Sequence, residues 1–492
     1  MRPRAPARAP GLFLDLDSAA PLPLFRQLYR GIREAVLGGR LPPGASLPPS
    51  RALASELGVS RNTVTLAYDQ LVAEGYLYGR PRSGMQVAVT LPPRPRSRPA
   101  RSSAERPRRS PRLSSRGLAI ASAPLPGLAF AAMTPRPFRP GVPALDLFPM
   151  RLWARLVQRR LRRPPQMGYG DPAGYAPLRD AIAEYVSASR GVICGADQVI
   201  VVNGSQQGVD LAARVLLDAG EEVWMEDPGY PGARTALFAA GAVAVPVPVD
   251  DEGMCVAEGE RIAPRARMAY VSPSHQFPLG ATMSASRRLE LLRWAARAGA
   301  WILEDDYDSE FRYGSRPLAS LQGMDQDGRV VYIGTFSKTL APALRLGYLI
   351  VPPGFAEAFR AVRAACDRHS PVLDQAVLAD FMAEGHFARH LRRMRNLYAE
   401  RQAVLVNGIQ RSLGERLAVR TTEAGMHLVG WLEDGVDDAA VSARLLEAGI
   451  DAPALSRYAR KRPGRGGLLL GWAGFSPEAL EEAVGRMAAV LS

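Results

Sequence analysis

The stretch RVVYIGTFSKTLAPALRLGY at residues 329–348 decides the fold of the larger part of this chain. It begins as an apolar β-type run, and the turn that follows holds Lys338. Thr335, Ser337 and Arg345 stand close to this lysine, and hydroxyl and guanidinium groups are suited to binding a phosphate. Because a lone lysine after a strand is usually a solvated surface residue, the neighbouring segments must decide between these interpretations.

Four further β-type runs precede this stretch and alternate with helical segments: QVIVVNG, EEVWMED, RMAYVSP and AWILEDD. Such alternation predicts a parallel α/β sheet, which presents ligand-binding groups at the carboxyl ends of its strands. The residues that follow these ends are Gly204, Ser205, Gln206, Tyr230, Asp305 and Tyr307. Glycine turns, capping aspartates and core tyrosines are common, so it is the joint order of these residues that indicates a site.

Together these groups match what pyridoxal 5′-phosphate (PLP) requires of a protein. A lysine forms an aldimine with the aldehyde, a carboxylate holds the pyridine nitrogen protonated, and an aromatic ring covers the pyridine face. We expect Lys338, Asp305 and Tyr230 in these roles. The turn in VVNGSQQG offers a helix N-terminus to the phosphate.

Residues 21–89 predict a separate domain of three helices and a β-hairpin. Ser50 and Ser60 are expected N-caps of the second and third helices, and Gly58 ends the second. A tight turn followed by a hairpin describes a winged helix-turn-helix, whose third helix enters the major groove of DNA. The expected DNA-contacting residues are Arg51, Ser60, Arg61, Asn62, Thr63, Thr65, Arg80 and Arg82. A protein-interaction module with a cationic face is the alternative.

The charge of the chain is concentrated between these two regions. The formal net charge is +14 over 492 residues, and residues 91–117 hold nine arginines against Glu105 alone. This Pro-, Arg- and Ser-rich segment predicts an extended linker. We find no apolar run long enough for a membrane span and no secretory signal. Three widely spaced cysteines disfavour disulfides and a metal site.

We therefore expect a cytoplasmic, multidomain protein. The predicted boundaries are an N-terminal tail at 1–18, a winged helix-turn-helix at 19–90, a basic linker at 91–126 and a PLP-binding α/β domain at 127–492.

Both domains resemble known families. The motifs LPPSRALA, GVSRNTV and AYDQLVAEGYL, with the glycine-bearing wing, resemble the DNA-binding domain of GntR-type bacterial regulators over about seventy residues. From about Ala144 to Leu491 the chain resembles fold-type I aminotransferases, the PLP-dependent transferase fold. That resemblance implies Asp305 at the pyridine nitrogen, Tyr307 near the phenolic oxygen, Lys338 as the aldimine lysine, and Thr335 and Arg345 at the phosphate.

Two further motifs bear on the site. YGDPAGYAPLRDAIAEYV is similar to an aminotransferase motif whose tyrosine, here Tyr169, reaches the phosphate of the neighbouring subunit's cofactor. SPSHQFPLG stands where many members carry an asparagine-proline motif, and we expect His275 or Gln276 to cover that role.

The order of the domains is similar to that of the MocR/GabR family of bacterial transcriptional regulators. The resemblance implies a head-to-tail homodimer that binds double-stranded promoter DNA with paired half-sites. It also implies that PLP itself, or an amine or amino acid held as an external aldimine, is the sensed ligand. Two alternatives are a working aminotransferase with an accessory DNA-binding domain, and a DNA-binding dimer whose large domain has lost its cofactor.

One departure concerns the substrate carboxylate. Aminotransferases place an arginine in a C-terminal strand, where this chain reads GGLLLGWAGFS. Four arginines precede that strand and either substitute for the missing residue or form a solvated basic loop: Arg457, Arg460, Arg462 and Arg465. The departure weakens the case for a carboxylated ligand and for efficient transamination.

Overall fold

The computed structural model describes residues 16–80, 84–89, 113–122, 135–164, 168–314, 319–461 and 464–491. These residues form two compact units, one within Met1–Pro111 and the other within Arg112–Ser492. Among the described helices, none is both long enough and apolar enough to cross a membrane. The three cysteines are free.

The first unit has three helices and a small antiparallel sheet, as predicted. Its elements are α1 Leu24–Leu37, β1 Ser46–Leu47, α2 Ser50–Leu57, α3 Arg61–Ala73, β2 Leu77–Arg80 and β3 Gly84–Val87. The strand order is β1-β3-β2. Apolar side chains from all three helices meet in one core and are fully buried: Leu28, Ile32, Leu53, Val64 and Leu71.

The turn between α2 and α3 owes its shape to one glycine and one serine. Gly58 ends α2 with φ +65°, a left-handed conformation that favours glycine. Ser60 caps α3, since its hydroxyl accepts from the Thr63 backbone N–H at 3.1 Å. The expectation that Ser50 caps α2 was wrong, because Ser50 is the first helical residue and Pro49 holds the N-cap position. Proline suits that position because its backbone there is extended and the missing N–H leaves no helical hydrogen bond unmade.

The second unit contains two sheets. Its strands are β4 Val199–Val202, β5 Glu222–Asp227, β6 Val243–Asp250, β7 Gly253–Met254, β8 Met268–Val271, β9 Trp301–Asp306, β10 Val330–Thr335, β11 Gly347–Ile350, β12 Leu417–Ala418, β13 His427–Leu432 and β14 Gly467–Gly471. The large sheet has the order β4-β11-β10-β9-β8-β5-β6-β7, and the small one β12-β13-β14.

Helices pack around these sheets. They are α4 Ser115–Ser122, α5 Met150–Arg162, α6 Ala176–Arg190, α7 Ser205–Leu216, α8 Pro231–Ala240, α9 Val256–Ile262, α10 Ala285–Ala298, α11 Leu321–Met324, α12 Phe336–Thr339, α13 Ala356–Asp367, α14 Val372–Ala383, α15 His386–Ser412, α16 Asp438–Glu447 and α17 Pro477–Leu491.

The five predicted strands are confirmed as β4, β5, β8, β9 and β10, but the expectation of a wholly parallel sheet was wrong. Strand β11 runs antiparallel to both β10 and β4. The connection from β10 to β11, residues 336–346, is shorter than the crossover that a parallel pair needs. Strand β6 was missed because Pro246 and Pro248 interrupt it, and β7 pairs with it only at Val249 and Asp250.

A helix also lies where the sequence predicted only an extended linker. Helix α4 is within the predicted 91–126 segment and packs against α8 of the second unit. The reason is local composition, since SRGLAIAS lacks the prolines of residues 91–111 and contains good helix formers.

The sheet direction determines where a site can form. Strands β10, β9, β8 and β5 are mutually parallel, and β4 points the same way because two antiparallel pairings separate it from β10. Their carboxyl ends therefore lie along one edge of the sheet, where open α/β sheets bind ligands.

Candidate functional site

Lys338 lies in the short helix that follows β10. Its ammonium donates to the Gly141 carbonyl at 2.8 Å. Gly141 has φ +73°, and a Cβ there would lie 2.6 Å from Lys338 Nζ, so the approach requires glycine. Burial lowers the pKa of Lys338, and the nearby Asp308 and Asp305 oppose that shift. A buried amine of this kind loses its proton more easily than an exposed lysine and becomes a nucleophile.

Asp305 ends the neighbouring strand β9 and is buried. One carboxylate oxygen accepts from the Tyr270 hydroxyl at 2.5 Å, whereas Oδ1 is buried without a hydrogen-bond partner. Burial raises the pKa of Asp305 to about 6; Asp306 and Asp308 add to this effect and Tyr270 opposes it. An acceptor oxygen held in place without a donor suits a protonated ring nitrogen, as in pyridinium.

Tyr307 and His275 meet beside this carboxylate. The Tyr307 hydroxyl lies 3.0 Å from His275 Nδ1, and that nitrogen also faces both oxygens of Asp308 at 3.1 and 3.2 Å. His275, Asp308 and His427 form a buried group whose possible metal-ligand atoms lie within 4.8 Å of one another. The absence of a metal site therefore stays a prediction.

The predicted phosphate residues gather at the start of α7. Gly204 has φ +87°, and a Cβ there would lie 3.0 Å from the Arg345 guanidinium. That guanidinium donates to the Asn203 carbonyl at 2.7 Å. Ser205 is the first residue of α7, so exposed backbone N–H groups, a hydroxyl and a cation converge here.

The other predicted polar residues have defined local partners. The Thr335 hydroxyl accepts from the Ser337 backbone N–H at 3.1 Å and caps α12. Gln206 donates to the Gly232 carbonyl at 2.7 Å and lies 3.5 Å from the Tyr230 hydroxyl. These contacts place Thr335 and Gln206 at the same sheet edge as Lys338.

Aromatic rings form one wall of the site. Tyr230 packs edge-on against Phe277 at 5.9 Å, and Phe277 also contacts Tyr307, His427 and Tyr458. Gln276 faces elsewhere, since it donates to the Pro228 carbonyl and to Glu226. Of the two residues proposed for the asparagine's role, only His275 contacts Tyr307.

Tyr169 stands apart from these residues. It is 83% exposed, and its ring lies against His369 and Arg368. Its assignment to a partner subunit's site stays a prediction.

The described arginines of the loop before β14 are exposed, and one of them is engaged locally. Arg465 donates to the Leu432 carbonyl at 2.6 Å and lies 3.6 Å from Asp434. Arg457 and Arg460 are exposed, and Arg462 lies outside the described residues. Strand β14 itself is buried and apolar.

The winged helix presents its predicted DNA residues unevenly. Arg51, Arg61 and Asn62 are exposed. The hydroxyl of Thr63 bonds to Ser60, and that of Thr65 donates to the Arg61 carbonyl. Arg80 ends β2, and Arg82 lies outside the described residues.

Sequence reasoning missed Gly141 and Tyr270, which lie far in sequence from the residues they contact, and Asp308, which directly follows Tyr307 but contacts His275 33 residues away. One compositional signal was available. The chain has 62 Lys and Arg residues, of which only Lys338 and Lys461 are lysines. Lys461 is exposed, so the half-buried Lys338 stands out against a chain that otherwise uses arginine.

The geometry fits PLP. A half-buried lysine, an orphaned carboxylate oxygen and a glycine-lined anion cradle lie on one sheet edge, and Gly141 and Gly204 both have the positive φ that favours glycine.

Comparison with known protein families identifies each of the two units. Residues 24–87 match the model for bacterial regulatory proteins of the gntR family, and residues 142–487 match the model for aminotransferase class I and II. The described unit within Met1–Pro111 is therefore a DNA-binding winged helix of the GntR type, and the other is a fold-type I aminotransferase domain.

Two curated relatives match this chain along almost its whole length, and a solved aminotransferase matches most of it. The probable rhizopine catabolism regulatory protein MocR of Rhizobium meliloti is 44% identical over 96% of this chain and 95% of its own length. The transcriptional regulator TauR of Rhodobacter capsulatus is 34% identical over 95% and 96%. The α-aminoadipate aminotransferase LysN of Thermus thermophilus, solved with N-(5′-phosphopyridoxyl)-L-leucine, is 29% identical with a TM-score of 0.66 and covers 72% of this chain and 91% of its own.

Proposed function

Because the chain belongs to the MocR/GabR family of bacterial transcriptional regulators, we propose that it holds PLP on Lys338 and that ligands at this site control its binding to promoter DNA. The observation that carries the proposal is the pairing of half-buried Lys338 with the orphaned Asp305 oxygen, in a chain that also has a capped recognition helix.

When bound, PLP supplies an aldehyde that reacts with amines and a pyridine ring that withdraws electrons. Lys338 would hold the aldehyde end, because burial favours its neutral, nucleophilic form. Asp305 would hold a proton on the ring nitrogen through its free oxygen. Tyr230 would cover a face of the ring.

The phosphate would bind at the start of α7. Gly204 keeps this turn open, and Arg345 provides the charge. The hydroxyls of Ser205, Thr335 and Ser337 lie at the same sheet edge and would complete the set.

DNA recognition would use the exposed start of α3. Arg61 is suited to bidentate pairing with guanine and Asn62 with adenine. Arg51 at the start of α2 would contact a phosphate together with the helix N-terminus.

Control of DNA binding requires two conformations that the effector binds with different affinity. An amine or amino acid that competes with Lys338 for the cofactor would act through that difference. We infer a head-to-tail homodimer in which the exposed Tyr169 reaches the partner's site, acting in the cytoplasm on paired half-sites.

The test is DNA affinity in the full-length chain. A duplex selected by the protein from a random pool is titrated with no addition, with PLP, and with PLP plus a panel of amines. We expect a change of about fivefold or more with at least one addition, in wild type and in Lys461→Ala but not in Lys338→Ala. An identical response in Lys338→Ala and wild type would overturn the proposal, and repeated turnover with a 2-oxo acid would favour an aminotransferase.

A further inference from the structure

We propose that His275 is a positioning residue: held by Asp308, it turns the Tyr307 hydroxyl so that its proton points into the Lys338 site. This inference rests on the proposed function, because it concerns how the protein adjusts PLP bound there. It gives His275 a role that acts through Tyr307, in place of the asparagine's role expected from the sequence, and it brings in Asp308, which the PLP-binding set does not include.

Tyr307 and Asp308 both meet His275 at one ring nitrogen. His275 and Asp308 have side chains that are 1% and 2% exposed. His275 Nδ1 lies 3.1 and 3.2 Å from the two Asp308 oxygens and 3.0 Å from the Tyr307 hydroxyl. One ring nitrogen therefore serves both neighbours.

The identity of the neighbours determines where the hydrogens lie. An ionised carboxylate only accepts, so a nitrogen that faces both oxygens of Asp308 carries a hydrogen. Because a protonated Nδ1 has no lone pair to accept with, the Tyr307 hydroxyl beside it cannot donate to it. Burial and the nearby Asp308 raise the pKa of Tyr307 well above its ordinary value, so the hydroxyl keeps its own proton. That proton is left to point away from His275.

The packing around the ring holds this arrangement. A Cβ on Gly425, which has φ +86°, would overlap the imidazole, and a Cβ on Gly280 would lie 3.2 Å from Nε2. Nε2 is buried and has no hydrogen-bond partner in the described part of the chain. Glycine backbone on two sides thus prevents the ring from turning away from Asp308.

The charged and titratable groups that act on this set are Asp305, Asp306, Glu226, Lys338 and His427. His427 packs against His275 with ring centroids 5.0 Å apart, and its Nε2 lies 3.2 Å from the Pro278 carbonyl. Burial lowers the pKa of His427 well below its ordinary value, so this ring stays neutral. The carboxylate in contact with His275 is that of Asp308.

The contacts from Asp308 through His275 to Tyr307, called the relay below, predict a spectroscopic effect. The aminotransferase resemblance places Tyr307 beside the cofactor's phenolic oxygen, to which its hydroxyl would donate. The protonated Lys338 nitrogen would donate to the same oxygen. The Tyr307 hydroxyl would therefore weaken the hold of that oxygen on the Lys338 proton. Without His275, the Tyr307 hydroxyl can turn to Asp308, and the Lys338 proton is held more tightly. The pH midpoint of the visible band should therefore rise.

The test is a pH titration of the visible absorbance of PLP-loaded protein. His275→Leu is expected to raise the midpoint by about one unit, the size expected for one lost hydrogen bond. His275→Asn is the matched control, because asparagine is similar in size to leucine but places an N–H near the Nδ1 position. It is expected to restore most of the shift. The single variant Tyr307→Phe should also raise the midpoint. Adding His275→Leu to Tyr307→Phe should cause no further rise.

The outcomes separate the two claims. If wild type shows no visible band after PLP addition, the proposed function fails. If wild type shows the band but His275→Leu leaves the midpoint unchanged, or shifts it equally in the Tyr307→Phe background, only the relay is overturned. Should His275→Leu fail to retain PLP, His275→Met carries the same test, because methionine also lacks a ring N–H, and it must raise the midpoint. A midpoint that moves on dialysis against a chelator would overturn the relay in favour of a metal at His275, Asp308 and His427.

Discussion

Replacing Asp305 by asparagine should stabilise the protein without its cofactor while weakening PLP binding. Burial raises the pKa of Asp305 from 3.8 to about 6 in the folded protein. The folded state therefore binds more protons than the unfolded state between about pH 4 and pH 6, and its stability falls as pH rises through that window. A shift of about 2 units corresponds to about 3 kcal/mol of unfolding free energy above pH 6.

Asparagine does not ionise, so Asp305→Asn escapes this loss. The variant should exceed wild type in unfolding free energy by about 1.5 kcal/mol at pH 5 and by about 3 kcal/mol at pH 8. The assay is urea unfolding of PLP-free protein across that range, followed by the fluorescence of tryptophans in the second unit. Asp251→Asn, at an exposed aspartate, is the control and should show no pH-dependent gap.

PLP titrations of the same samples should show weaker binding by Asp305→Asn, since asparagine cannot hold a proton on the pyridine nitrogen. A gap that stays constant from pH 5 to pH 8 would refute the reasoning, because it would mean that ionisation of Asp305 costs nothing in the fold. Unchanged PLP affinity would refute its role at the ring nitrogen.

Three further predictions concern single side chains. Ser60→Ala should lower the stability of the winged helix by about 1 kcal/mol in thermal unfolding, whereas Ser50→Ala should not, since only Ser60 caps a helix. Arg61→Ala should lose about 1–3 kcal/mol of discrimination between selected and scrambled DNA; an equal loss on both duplexes would mark a phosphate contact instead. Arg190→Leu should cost about 3–5 kcal/mol in urea unfolding, because it leaves Asp306 buried without its cation, while Arg261→Leu at an exposed pair should cause no measurable loss.

The elements that the sequence predicted well are those whose signals are local. The helix-turn-helix depends on Gly58 and Ser60, which act within a few residues of their own positions. Strand β9 opens with the apolar residues Trp301, Ile302 and Leu303, and β10 opens with the apolar run VVYI, so the sequence alone places Asp305 and Lys338 at the ends of strands.

The parts that escaped prediction depend on contacts distant in sequence. Gly141 meets Lys338 across 197 residues, and nothing near Gly141 indicates that contact. Tyr270 reaches Asp305 from a neighbouring strand, and its side chain looks like ordinary core in the sequence. Strand β11 was not among the predicted strands, so the short connection that makes it antiparallel to β10 could not be used.

The claim that Lys338 carries PLP is tested most directly by borohydride reduction followed by peptide mapping. The chain has two lysines, so the result has few interpretations. A yellow protein whose reduced, mass-shifted peptide contains Lys338, with Lys461 unmodified, is the predicted result. A protein that stays colourless with added PLP, or one modified at Lys461 alone, would contradict the account and leave a DNA-binding protein whose aminotransferase domain serves another purpose.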